Sequence, residues 1–150
     1  MRIYEAKISY QLVQEGKVEA LSNAERVVEY MRGAFDENPL QEAFYVIALD
    51  RKNKPLGRLR ITLGTATATL AHPREVFRYA VLSSASAVVC CHSHPSGDPS
   101  PSSADVEVTR LLRDAGRQLE IPMVDHVIIG TRLDDPLGVG FYSFRQAGLV

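Results

Sequence analysis

Two histidines one residue apart, His92 and His94, stand in the stretch CCHSHPSGDPSPSSAD, which goes on to Ser102 and Asp105. On an extended segment, side chains two apart share a face, so both imidazoles can address one point while Ser93 turns away. Pro95 stops strand pairing. The Pro-, Ser- and Gly-rich loop after it lets the chain turn back, so that Asp105, in the first turn of the next helix, can supply a carboxylate as third ligand. Two histidines, one carboxylate and one open position describe a catalytic zinc site more closely than a structural one, which closes all its positions with protein atoms. Zinc lowers the pKa of its water to about 7 and polarises a carbonyl, which suits amide hydrolysis. That chemistry also needs a proton shuttle, a Glu that is not a ligand. A hydroxyl or backbone N–H must face the developing oxyanion, and Ser102 lies in reach of that role. The same residues support a plainer reading. Ser102 with Asp105 three positions on fits a helix cap, an acidic residue at a helix N-terminus is stabilising in itself, and either histidine can be an ordinary polar residue at a strand end. Spacing alone leaves both readings open.

The elements that must position these residues alternate between strand and helix patterns. Residues 3–12 alternate as a strand, and Ser22 with Glu25 three residues later forms a capping-box pattern that opens a helix towards Phe35. AFYVIALD, residues 43–50, is a β-branched and aromatic run, and residues 56–63 alternate as its hairpin partner after RKNK. GTATATLA, residues 64–71, reads as a further strand or an irregular edge. From Pro73 a helical pattern follows, with Pro at a tolerated first-turn position. AVVCC is a short apolar strand of the kind buried on both faces. Ser102 or Ser103 caps a helix through Leu119 whose core face is Val106, Leu111, Leu112, Ala115 and Leu119; MVDHVIIG and GFYSF are closing strands. The order predicts an α/β layered fold, a sheet flanked by helices.

The 150 residues, 45% hydrophobic and 23% charged, fit one domain spanning 1–150, with 1–40 an N-terminal strand and helix and 41–150 the core. A net charge of -1 gives no long-range field to steer a polyanion. Arg51, Lys52, Lys54, Arg58 and Arg60 make the one local basic cluster, and a solvated hairpin rim is its simpler reading. The N-terminus lacks the apolar core of a signal peptide, and no stretch approaches the roughly 20 apolar residues of a membrane span. The only cysteines, Cys90 and Cys91, are neighbours and make a poor structural disulfide. These features point to a reducing cytoplasm and to no membrane partner.

HSHPSGDPSPSSAD resembles the JAMM signature of JAB/MPN metalloproteases: His-x-His-Pro, six residues, Ser, two residues, Asp. HPREVFRYAV, DHVIIG and YSFRQAGLV, in the same order, resemble the RadC branch of that superfamily over residues 41–150. The branch usually has Asn where Ser93 stands, a change that leaves the ligands untouched. The resemblance implies the JAB/MPN fold, a mixed sheet flanked by helices similar to the cytidine-deaminase architecture, with zinc held by His92, His94 and Asp105. It also implies a general base at Glu42, where the family's E-x-F strand begins; Glu75, in HPRE, is the rival. Cys90 shares a face with the histidines and is read as a core residue. Asp125 and His126 are read as support for the ligands, with an ordinary strand histidine the alternative for His126, and His72 as part of a turn. RadC relatives often carry an N-terminal helix-hairpin-helix part; the residues before 41 read otherwise, which weakens a DNA role taken from the family's DNA-repair label.

Two functions follow. One is a JAMM-type zinc hydrolase of peptide or isopeptide bonds, with Glu42 as acid/base, Ser102 at the oxyanion, and a peptide or protein of unspecified identity as substrate. The other is a non-catalytic or weakly catalytic MPN-like binding module in a DNA-repair or mobile-element setting, nucleic acid being its partner. A zinc nucleobase deaminase would show His-x-Glu and a downstream Pro-Cys-x-x-Cys, and neither is present.

Overall fold

The apolar runs of the sequence become the central strands, and the segments of helical periodicity cover both sheet faces. A computed structural model describes residues 1–64 and 71–150 of the chain. In chain order the elements are α1 (Ala24–Tyr30), β1 (Ala43–Leu49), β2 (Pro55–Leu63), α2 (Pro73–Leu82), β3 (Ala87–Ser93), α3 (Ser103–Gln118), β4 (Met123–Ile129) and β5 (Phe141–Ser143). The five strands form one mixed sheet in the order β2-β1-β3-β4-β5. Only β3 and β4 run parallel, and α3 is the crossover between them. The fold is therefore α/β, as the order of patterns predicts, and it has the layering of the JAB/MPN architecture.

Strand alternation divides the core between the two faces. Phe44, Val46, Val88 and Cys90 pack with Val76, Phe77 and Ala80 of α2 and with Val108 and Leu112 of α3. Ile47, Leu49, Val89, Cys91 and Val127 pack on the other face with Ala24 and Val27 of α1 and with Met31. Cys90 and Cys91 thus lie back to back in different clusters, both free, and burial pushes both thiols up. Cys90 serves as a small hydrophobe.

Four expectations need correction or restriction. Residues 3–12 are not a strand: Ile8, Tyr10 and Leu12 are exposed, and among the described residues no ladder partner meets them. Alternation qualifies a segment for pairing, but only a neighbouring strand makes it one. The cap of α1 is Asn23, whose side chain accepts from the Arg26 N–H at 2.9 Å, and the helix stops at Tyr30, with turns following before Phe35. Ser22 lies one residue outside. On α3 the inward face is Asp105, Val108, Thr109, Leu112 and Gly116, while Leu111 and Leu119 are exposed. The helix thus turns two polar residues, Asp105 and Thr109, inward. The expected element at 64–71 falls mostly at 65–70, outside the described residues.

Candidate metal centre

The C-terminal end of β3 delivers the histidines, and its neighbours deliver the rest. Phe44 of β1 pairs with His92, and the Ala43 N–H donates to Ser93 Oγ at 3.3 Å. This register brings Glu42, just before β1, to the His94 end of the pair. Ser93 thereby occupies the face away from its two neighbours. After His94 the chain turns at Gly97, whose φ of +86° is a conformation L side chains rarely adopt and whose Cβ position is filled by Asp134. The Gly97 carbonyl accepts from the Thr131 N–H at 2.7 Å, so the loop after β4 backs this turn. The turn returns the chain to Ser102, the cap of α3. Ser102 Oγ accepts from the Asp105 N–H at 3.1 Å and the Ser102 N–H donates to Asp105 Oδ2 at 2.8 Å, a complete capping box.

Asp105 caps its helix and also faces the histidines. Its Oδ1 lies 3.2 Å from His92 Nε2 and its Oδ2 lies 3.2 Å from His94 Nε2. The two Nε2 atoms are 3.1 Å apart, and Glu42 Oε1 is 3.5 Å from His92 Nε2. Glu42, His92, His94 and Asp105 each offer a ligand atom, all within 4.8 Å of one another. Two imidazoles and two carboxylates converging on one point are the donor set a divalent ion such as zinc prefers, so the residues fit a metal. The two readings of Asp105, cap and metal donor, are compatible because a carboxylate has several acceptor positions.

The partner of His94 Nδ1 supports that use. His94 Nδ1 is 2.8 Å from the Asp98 carbonyl, which can only accept, so Nδ1 carries the hydrogen and the Nε2 lone pair points into the group. Burial opposes charge on His94, but the Asp105 carboxylate and the Asp98 carbonyl outweigh it and raise its pKa, so a proton competes with a metal for Nε2. Burial likewise works to raise the Asp105 carboxyl, yet without a metal the His92 and His94 rings, when they carry hydrogen on Nε2, hydrogen-bond to it and hold it well below the ordinary range; a metal would take the place of those hydrogens. Glu42 differs: burial raises it, and the charges of His92 and His94 only partly offset that effect. One carboxylate is thus kept ionised and the other is moved towards proton exchange, the split expected of a ligand and a base.

A family model described as RadC-like JAB domain matches residues 21–149. The chain belongs to the RadC-like JAB domain family. The UPF0758 protein of Chlorobium luteolum is 42% identical over 130 residues, 87% of this chain and 55% of that protein. The UPF0758 protein of Symbiobacterium thermophilum is 46% identical over 109 residues, 73% of this chain and 44% of that protein. The chain spans about half the length of the curated relatives it matches.

Within this RadC-like JAB domain the other polar residues named from the sequence have distinct places. Glu75 is not in the metal-donor group; it pairs with Arg78 at 3.0 Å on the exposed face of α2. His72 caps α2, its Nδ1 accepting from the Arg74 N–H at 3.1 Å. Asp125 makes no hydrogen bond to the His92 or His94 ring, and its Oδ1 accepts from the backbone N–H of its neighbour His126 at 2.7 Å. It accepts from Ser143 Oγ at 2.6 Å and from the Arg145 N–H at 3.0 Å, tying the chain after β5 to β4. His126 is fully buried beneath His92, with His92 Nδ1 at 2.7 Å from its Nε2. The sequence pairs Asp125 and His126 as support for the site, and only His126 reaches it, because neighbours on a strand face opposite sides. Thr109 was missed altogether; its signal is its place one helical turn after Asp105, on the same face.

Proposed function

We propose that this RadC-like JAB domain is a zinc-dependent hydrolase of peptide or isopeptide bonds. The observation that carries the proposal is the convergence of Glu42, His92, His94 and Asp105 within 4.8 Å. His92 Nε2, His94 Nε2 and an Asp105 carboxylate oxygen would hold the ion, and Glu42 would remain outside the ligand set. Zinc at such a site supplies an activated water and a polarised carbonyl. Glu42 then takes the proton of the attacking water on a carboxylate oxygen and passes it to the nitrogen of the leaving amine. Its side chain is 28% exposed against 1% for His92, so it can meet both water and substrate. Ser102 Oγ already accepts a hydrogen bond in the cap, which leaves its own hydrogen to donate to the oxyanion.

A groove of about 390 Å³ opens beside His94, with Val28, Met31, Phe35, Pro95 and Ile129 among its lining. Arg32, Asp36 and Ser93 also line it, and of the donor group only His94 does, so it lies to one side of the ligands. The test is cleavage of matched peptide-bond and isopeptide-bond substrates by zinc-loaded and chelated protein. Cleavage that is lost on chelation, returns with zinc and is missing in Glu42→Gln is expected. Absence of zinc-dependent cleavage of both bond types would overturn the proposal.

A further inference from the structure

Beneath His92 lies a buried chain of three short hydrogen bonds that the hydrolytic chemistry does not use. His92 Nδ1 is 2.7 Å from His126 Nε2, His126 Nδ1 is 2.6 Å from Thr109 Oγ1, and Thr109 Oγ1 donates to the Asp105 carbonyl at 2.6 Å. All four residues are nearly sealed from solvent: His92 is 1% exposed, His126 0%, Thr109 1% and Asp105 6%. The rings are also held in place by their neighbours. His126 stacks on Phe144 with centroids 4.8 Å apart, and His92 stacks on Phe44 at 5.7 Å.

We propose that His126 and Thr109 are positioning residues that set which nitrogen of His92 faces the metal with its lone pair. The inference rests on His92 Nε2 being a ligand, as the proposed function has it. A neutral imidazole bound through Nε2 carries its one hydrogen on Nδ1. That hydrogen can only go to His126 Nε2, so the hydrogen of His126 lies on Nδ1 and goes to Thr109 Oγ1. The Thr109 hydrogen then goes to the Asp105 carbonyl, which has no other role than to accept. Each link has one direction, and the chain joins one ligand to the backbone of another. Run in reverse, with Thr109 donating to His126 Nδ1 and His126 Nε2 donating to His92 Nδ1, it leaves the hydrogen of His92 on Nε2 and closes that ligand position. The Asp105 carbonyl is what favours the first direction.

Thr109→Val keeps the shape of the side chain but removes both the acceptor for His126 and the donor to Asp105; Thr109→Ser keeps both. His126→Phe removes the acceptor for His92, and His126→Gln can restore an acceptor oxygen near the position of Nε2. Zinc affinity is measured by competition with a chelator, after thermal melting has shown that each variant folds. Thr109→Val and His126→Phe are expected to bind zinc about 10–100-fold more weakly. Thr109→Ser is expected to stay near wild type and His126→Gln to recover part of the loss. In zinc-loaded wild type, nitrogen NMR is expected to find the hydrogens of His92 and His126 on Nδ1, a signature that packing alone would not set. Folded Thr109→Val with wild-type affinity, or His126 protonated on Nε2, overturns the relay and leaves the metal site standing. Wild type that binds no zinc overturns the metal reading itself, and the relay with it.

Discussion

At the scale of residues, the site separates two carboxylates by their surroundings. Asp105 is fixed by the histidines and by the Ser102 N–H, whereas Glu42 has no such hydrogen bond from them and stands at the open side. On the proposed mechanism, replacing Glu42 by Gln would remove the proton acceptor while leaving His92, His94 and Asp105 in place. Glu42→Gln is therefore expected to retain zinc at wild-type stoichiometry and to lose turnover by about 10²–10⁴-fold. Metal analysis and cleavage rates on the same preparation check this; retained turnover would move the base elsewhere. Local spacing singles out His92, His94 and Asp105 in the sequence, and the resemblance to the JAMM signature is what favours metal ligands over a plain helix cap. His126 and Thr109 were not legible there, since they meet His92 only through the parallel pairing of β3 with β4 and the inward face of α3.

At the scale of elements, the turn between β3 and α3 is held by the loop that follows β4. Asp135 organises that loop by accepting from the N–H groups of Gly140 at 2.7 Å, Leu137 at 2.9 Å and Val139 at 2.9 Å. Those hydrogen bonds, led by that of Gly140, lower the Asp135 pKa in the folded protein. A depressed folded value means that stabilisation is present above the unfolded value of about 3.9 and is lost as pH falls through the folded one. Asp135→Asn is thus expected to lower the melting temperature near neutral pH and to narrow its gap from wild type in strong acid. Gly97→Ala is expected to cost about 1–3 kcal/mol through its positive φ and to weaken zinc binding as well, because it displaces the turn after His94. Melting and zinc titration of each variant test both statements. The strands and the two long helices could be read from periodicity, since β1, β3 and α3 are continuous local patterns. The inward face of α3 could not, because it buries Asp105 and Thr109, which runs against the hydrophobic pattern.

At the scale of the whole molecule, the packed body begins near Leu21, which is buried, whereas residues 1–19 are exposed. Removing residues 1–15 is expected to leave the melting temperature nearly unchanged, since their apolar side chains bury little surface. Among the described residues no helix is long and apolar enough to cross a membrane. In the basic hairpin, Arg58 donates to the Tyr30 carbonyl at 2.7 Å, so part of that charge is engaged in holding β2 to α1. Duplex DNA is accordingly expected to bind weakly if at all in a low-salt titration; tight binding that falls steeply with salt would assign the hairpin to nucleic acid. The central claim is that one ion sits between His92, His94 and Asp105. Anomalous diffraction at the zinc edge from zinc-grown crystals tests it most directly. The account predicts one strong peak at about 2.0–2.2 Å from His92 Nε2, His94 Nε2 and an Asp105 carboxylate oxygen. No peak there, with zinc bound only at other sites, would contradict it.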